Sequence, residues 1–469
     1  MSGDIELAFT SALEQARLVR TGEVSPVELV ECYLRRIEEL NPRLNAYLTV
    51  AGDQALEAAR KAAAVVGSAE LPPFHGVPIS IKDLIDTAGI RTTRGTRTNA
   101  DRIPTADAEV VARVKRAGFI VLGKTNTPEF GMQAVTEPPG YPWACNPWDP
   151  TRTPGGSSGG AGAALAAGLC PVAVGSDGGG SIRIPSSLSG VFGIKTSRGR
   201  VSNAPQPNHL FAVIGPMART VADAAALLDV IAGYATGDAW WAPPPSRPFA
   251  VEAAQPPGVL RVGATAEPFV SGIIVDAAPL RGYEAAMWLL ADLGHGVEEA
   301  APEWDPSVTW MAAPAYGADM AAWLDLPPLD TLHPQTVQVI ELGTSADGPT
   351  VMGGLAAVYR QARRTIAYWD TYDVLLTPTV AITAPRVGEF QDMATNPAGV
   401  FRYTAMGSFT SPFNMTGQPA VNVPMGFDDE GMPLGVQLVG RPGDEATLIR
   451  LAAQMEAAHP WAGRHPPIS

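Results

Sequence analysis

Ser181 follows three glycines, Gly178, Gly179 and Gly180. Consecutive amides without Cβ atoms can turn inward together and gather on an oxyanion that forms at the attacking hydroxyl itself. Such a hydroxyl needs a base. Six histidines are available: His75, His209, His295, His333, His459 and His465. None stands at a metal-ligand spacing from another, and each reads as a structural or solvent-exposed side chain that only geometry could promote to a role. Lys82 is another candidate base, because burial lowers a lysine pKa by up to several units. Taken alone, Lys82 reads first as an ordinary surface lysine.

A second glycine-rich turn lies upstream, Gly155-Gly-Ser-Ser-Gly-Gly160. It lacks the Gly-Lys-Ser/Thr ending that a phosphate cradle needs. Gly155 to Gly159 does match G-x-S-x-G, but that elbow follows a strand. The preceding Asn146–Pro154 segment is no strand, so the match reads as accidental.

The elements around these turns point to an α/β layer architecture. An Ala-rich run between the turns predicts a buried helix, followed by a short strand over Pro171–Val174. Gly76–Asp83 alternates and predicts a strand with Lys82 near its end. A helix over Val110–Ala117 and a strand over Gly118–Gly123 follow, then a long loop over Lys124–Pro154. Ser25-Pro-Val-Glu28 opens a helix with a capping box, and Asn41-Pro42 is expected to end it. Further helices are expected over Leu56–Val66, Val221–Ile231, Asp276–Leu293 and Asp444–Ala457. Strands are expected over Val259–Val262, Tyr372–Thr377 and Pro433–Val439, and a turn followed by a strand over Phe413–Pro424. The stretch 304–365 shows no clear period and reads as irregular.

Composition bounds the partners. Hydrophobic residues make up 46 % and charged residues 17 %, enough for a large globular core. The net charge of −14, with no basic run, argues against nucleic acid and anionic membranes. Cys32, Cys145 and Cys170 do not make a disulfide framework, and Cys170 reads as a small core residue. The N-terminal residues lack the basic and apolar regions of a secretion signal, and no apolar run approaches a membrane span. The expectation is a soluble, cytoplasmic protein.

Longer segments carry a resemblance. Gly155–Gly160, then Gly175-Ser-Asp-Gly-Gly-Gly-Ser-Ile-Arg-Ile-Pro185, then Gly193–Ser202 resemble the core of the amidase signature family. Gly76–Asp83 resembles the strand that carries the family's catalytic lysine. Gly123–Phe130, Asn146–Trp148 and Asn414–Ala420 also match, so the likeness runs from about Ser11 to the final helix. It implies a single large domain, 1–469. A mixed, twisted central β-sheet would be covered by helices on both faces, with its core in 60–240 and 370–458 and an irregular pocket or lid region at 304–365.

The resemblance also implies a Ser-Ser-Lys triad. Ser181 would be the nucleophile, Ser157 the bridging serine after a cis peptide following Gly156, and Lys82 the base. A neutral Lys82 would accept from Ser157 and Ser157 from Ser181, so a hydroxyl between base and nucleophile extends the lysine's reach. The N–H groups of Gly178, Gly179, Gly180 and Ser181 would face the oxyanion. Asp177 and Arg183 would brace the loop as an ion pair, and Ser158 would add a supporting hydrogen bond. This chain has Gly178 where the family often carries threonine, and Lys195-Thr196 where Lys-Pro is common.

Within the family, Thr136–Pro138, Asn146–Trp148, Pro412–Asn414 and Pro460–Arg464 are similar to the 6-aminohexanoate cyclic-dimer (nylon oligomer) hydrolases, whose relatives include aryl-amide and carbamate hydrolases. The implied activity is a serine amidohydrolase on small amides, cyclic or aryl amides, or carbamates (urethanes). Gly131, Met132 and Gln133 would contact substrate. The Gln133 amide would bond the substrate, and Met132 and the region Trp304–Tyr316 would wall an apolar pocket. No cofactor or metal is implied, and the chain would act as a monomer or homodimer. Two rival readings are a glutamine-hydrolysing amidotransferase subunit and a non-catalytic binding protein on the same fold.

Overall fold

Alternate strand residues enter opposite apolar layers, and this alternation sets the architecture. Val172 and Val174 join one core while Ala173 joins another; Val374 and Leu376 are likewise divided from Leu375. A strand turns successive side chains to opposite faces, so both faces of the sheet are covered.

The computed structural model describes residues 2–67, 70–206, 209–323, 326–393 and 396–469. Its strands are β1 (Tyr47–Val50), β2 (Pro78–Lys82), β3 (Ile120–Thr125), β4 (Val172–Asp177), β5 (Phe192–Lys195), β6 (Val213–Ala218), β7 (Arg261–Ala264), β8 (Gly296–Glu299), β9 (Val374–Pro378), β10 (Ala420–Phe427) and β11 (Pro433–Val439). They form one sheet in the order β1-β3-β2-β4-β6-β5-β10-β11-β9-β7-β8. β2 runs parallel to β3 and β4, and β7 runs parallel to β8 and β9. The remaining pairs are antiparallel.

One face carries the helices Glu109–Arg116, Val221–Ile231, Ala277–Asp292 and Glu445–Ala458. The opposite face is divided. Helices Pro26–Leu44, Gly52–Ala63 and Gly159–Ala166 cover the end near β1, and Arg183–Ser189 and Pro397–Gly407 cover the half near β9. Among the described residues, no helix is long and apolar enough to cross a membrane.

Three sequence expectations change. The capping box at Ser25 is present, but the helix continues through Pro42 to Leu44, where Asn45 stops it in a left-handed conformation. The stretch 304–365 is largely helical, with helices Ser307–Trp323, Pro334–Thr344 and Gly348–Ile366; residues 324 and 325 within it lie outside the described residues. The first of these helices carries Pro314 and mixes apolar with polar residues on several sides, which erases the period a sequence reading relies on. Strands β1, β5, β6 and β8 are short, and none was evident from alternation.

Candidate active site

β2 delivers Lys82 beside β4. The two strands pair in parallel, with Ser80 opposite Ala173 and Ile81 opposite Val174. Lys82 is fully buried. Its Nζ lies 2.7 Å from Ser157 Oγ, 3.0 Å from Ser176 Oγ and 3.4 Å from the Ser176 carbonyl. Burial lowers the Lys82 pKa to about 7, against the opposing pull of the nearby Asp177 charge. A lysine so placed exchanges a proton near neutrality.

Ser157 is buried, and the Gly156–Ser157 peptide is cis. The Ser158 hydroxyl donates to the Ser176 carbonyl at 3.2 Å, and its N–H donates to the Ser181 carbonyl at 3.1 Å. This last bond ties the two glycine turns together. Ser181 is half-buried; its hydroxyl has no hydrogen-bond partner among the described residues, and no bond links it to Ser157. Ser181 lines a cavity with Gly178 and Gly179.

Asp177 organises the second turn. Its carboxylate accepts from Arg183 Nε at 2.9 Å and Nη2 at 2.8 Å, and from the N–H groups of Gly180 and Ile182. Burial alone would push this carboxyl up. The Arg183 guanidinium outweighs it and holds the group well below the usual carboxylate range. Arg183 also donates to the Thr410 carbonyl, Gln437 Oε1 and Asn414 Oδ1, so a fully buried cation is satisfied on every side. The Thr410 hydroxyl donates to the Gly179 carbonyl at 2.7 Å.

The expected four-amide cradle differs at Gly180. Its N–H donates to Asp177 Oδ1 at 2.8 Å, so it is already committed to holding the turn. The N–H groups of Gly178, Gly179 and Ser181 have no partner within the protein among the described residues.

On the substrate side, Gly131, Met132 and Gln133 all line the cavity that holds Ser181. Gly131 sits behind Ser157, where a Cβ would come within 3.3 Å of its hydroxyl. Gln133 is buried, and its Nε2 donates to Gln335 Oε1 at 2.7 Å, so half of the amide expected to bind substrate is used inside the protein. Met132 both lines the cavity and packs against an apolar cluster with Met320 and Ile340. Trp304 packs on Phe269 with ring centroids 6.0 Å apart, and Trp310 is 66 % exposed. The region Trp304–Tyr316 does wall the cavity, through Thr309, Ala312, Ala313 and Tyr316 rather than through its tryptophans. Ser176, Thr410 and Asn414 were not given roles from the sequence. Ser176 and Asn414 fall inside matched segments, which was the available signal. Among the described residues, no group of three or more His, Cys, Asp or Glu could hold a metal ion.

Comparison with known proteins gives the family. The pattern that defines the Amidase family matches residues 28–449. The chain belongs to the amidase signature family. This amidase is a hydrolase of amide C–N bonds. It is 40 % identical to AmiB2 of Mycobacterium tuberculosis over 99 % of both chains. It is 37 % identical to a 6-aminohexanoate-cyclic-dimer hydrolase of Paenarthrobacter ureafaciens, over 98 % of this chain and 97 % of that protein. A solved structure of 6-aminohexanoate cyclic dimer hydrolase superposes with a TM-score of 0.92 at 35 % identity, covering 98 % of this chain and 99 % of the other.

Proposed function

We propose that this amidase cleaves small amides through an acyl-enzyme on Ser181, with Ser157 relaying the proton to and from Lys82. The observation that carries the reading is the 2.7 Å contact between a dry, easily deprotonated lysine and Ser157. The Ser181 hydroxyl turns about its Cα–Cβ bond toward Ser157 and gives it a proton, while Ser157 passes its own to neutral Lys82. The Ser181 oxygen bonds to the carbonyl carbon. The oxyanion faces the N–H groups of Gly178, Gly179 and Ser181, preorganised donors of the kind that contribute most to acyl transfer. The proton returns through Ser157 to the nitrogen as the C–N bond breaks. Water then attacks the ester by the same relay and releases the carboxylic acid.

The substrate class is small amides, with cyclic and aryl amides and carbamates as the candidates. The 6-aminohexanoate-cyclic-dimer hydrolase relatives support the cyclic amides. A fluorophosphonate probe followed by peptide mass spectrometry should find the adduct on Ser181 and none in Ser181→Ala. Label on another residue, or none, refutes the mechanism. A panel of linear, cyclic and aryl amides, carbamates, esters and glutamine ranks the classes by kcat/KM.

A further inference from the structure

Two cavities meet at the catalytic turns, and they hold different halves of the machinery. The inner one, about 90 Å³, is lined by Ser157 and by Leu84, Ile85, Phe130, Val213 and Met320. The outer one, about 340 Å³, is lined by Ser181 and Gly179. Both are lined by Gly131, Gly178 and Tyr316. The two glycines contribute no side chain, so among the described residues Tyr316 is the only side chain that lines both.

Helix Ser307–Trp323 explains the difference in size. Thr309, Ala312, Ala313, Tyr316 and Met320 recur at helical spacing and share one face. The small Ala312 and Ala313 face the outer cavity, and the long Met320 faces the inner one. Tyr316 is half-buried, and its hydroxyl has no hydrogen-bond partner among the described residues. In the inner cavity Asp86 is held by Arg102 at 2.6 Å and Arg94 at 3.5 Å, while Ser176, Asn203, Gln206 and His209 line it beside the apolar residues.

We propose that Tyr316 divides the site into an amine compartment and an acyl compartment, and so ranks the candidate amides by the size of their amine. The inference rests on the acyl-enzyme reading above. There Ser157 returns the proton to the departing nitrogen, so the nitrogen faces the cavity that Ser157 lines, and the acyl group extends into the cavity beside Ser181. The inner cavity is smaller than the roughly 150 Å³ that admits benzene in an engineered core. An amine as large as aniline therefore meets the Tyr316 side chain. The tyrosine hydroxyl is the polar group available to the substrate at the junction.

The test is kcat/KM for two series on the purified enzyme. One keeps a hexanoyl group and varies the amine from ammonia through methylamine and butylamine to cyclohexylamine and aniline. The other keeps ammonia and lengthens the acyl chain. Wild type should fall with amine size and tolerate acyl length. Tyr316→Ala should raise the bulky amines relative to the primary amide by about tenfold or more, the scale on which a pocket discriminates by size. Tyr316→Phe should keep the size limit, and Tyr316→Leu serves if the alanine variant does not fold. An unchanged amine profile overturns the proposal, as does a gain confined to the acyl series. Fluorophosphonate labelling of each variant separates the causes. Label on Ser181 with an unchanged amine profile overturns the partition alone, whereas no label on Ser181 in wild type overturns the acyl-enzyme and the partition with it.

Discussion

The two glycine-rich turns use the same residue for opposite reasons. At Gly160 in the first turn, a Cβ would lie 2.3 Å from the Asn126 nitrogen and 2.5 Å from the Ala46 carbonyl oxygen. Backbone cannot yield there, so the glycine exists to let chains touch. At Gly178 in the second, a Cβ would meet only Ala212 Cβ at an ordinary 3.5 Å, and at Gly179 it would meet nothing within 4 Å. These glycines leave room instead. The first turn packs Ser157 against the lysine, and the second holds space and free amides beside Ser181. Gly178, where a threonine was the family expectation, borders both cavities, so its missing side chain widens the junction at which Tyr316 stands.

The largest test asks whether the turns act as one unit. Ser181→Ala and Lys82→Ala should each cost on the order of 10⁴-fold or more in kcat, and the double variant should be scarcely worse, because relay residues lose their effect together. Additive losses in single-turnover kinetics would separate the turns functionally. Asp177→Asn strikes the scaffold of the second turn. Leaving Arg183 buried without its partner should cost about 3–5 kcal/mol in chemical denaturation. The same change removes a charge that raises the Lys82 pKa, so the pH limb of any surviving activity should move to lower pH.

The paired glycine substitutions sharpen the contrast directly. Gly160→Ala should destabilise by about 1–3 kcal/mol or more through overpacking against backbone. Gly178→Ala should change stability by less than about 0.5 kcal/mol, because the added Cβ meets only an ordinary contact with Ala212, yet lower kcat/KM for bulky substrates. Thermal melts and kinetics on both variants check the pair; equal stability losses would erase the distinction. The smallest effect is the wild-type pH profile. Lys82 must be neutral to accept the proton, so kcat/KM should rise with pH and level off above a midpoint of about 7. A flat profile from pH 5 to 9 would contradict the lysine's role.

Much of this was legible in the chain. The capping box at Ser25, helix Val221–Ile231 and strand β11 follow from local rules of capping and period, and the structure places them within a residue of expectation. Helix Ser307–Trp323 escaped because its apolar residues face neighbouring helices and cavities on several sides, whereas Gly348–Ile366 does carry an amphipathic period. The Gly180 amide escaped for another reason: the sequence shows that four amides are adjacent, but not that Asp177 has already taken one.

The sequence by itself determined the two turns and the family, whose resemblance singled out Lys82, Ser157 and Ser181 as candidates. Turn chemistry is short-range, set by which residues lack a Cβ or lock a dihedral, and it survives without any knowledge of packing. Only the tertiary structure decided what those residues meet. The parallel register of β2 and β4 brings Lys82 to Ser176, and the Ser158 hydroxyl, bonded to the Ser176 carbonyl, holds Ser157 beside the same lysine 75 positions away in sequence. Burial, a property of the whole fold, brings its proton affinity toward neutrality. Tyr316 arrives at the junction from a helix whose period was hidden. Long-range contacts depend on register and on which faces are covered, and no local pattern encodes either.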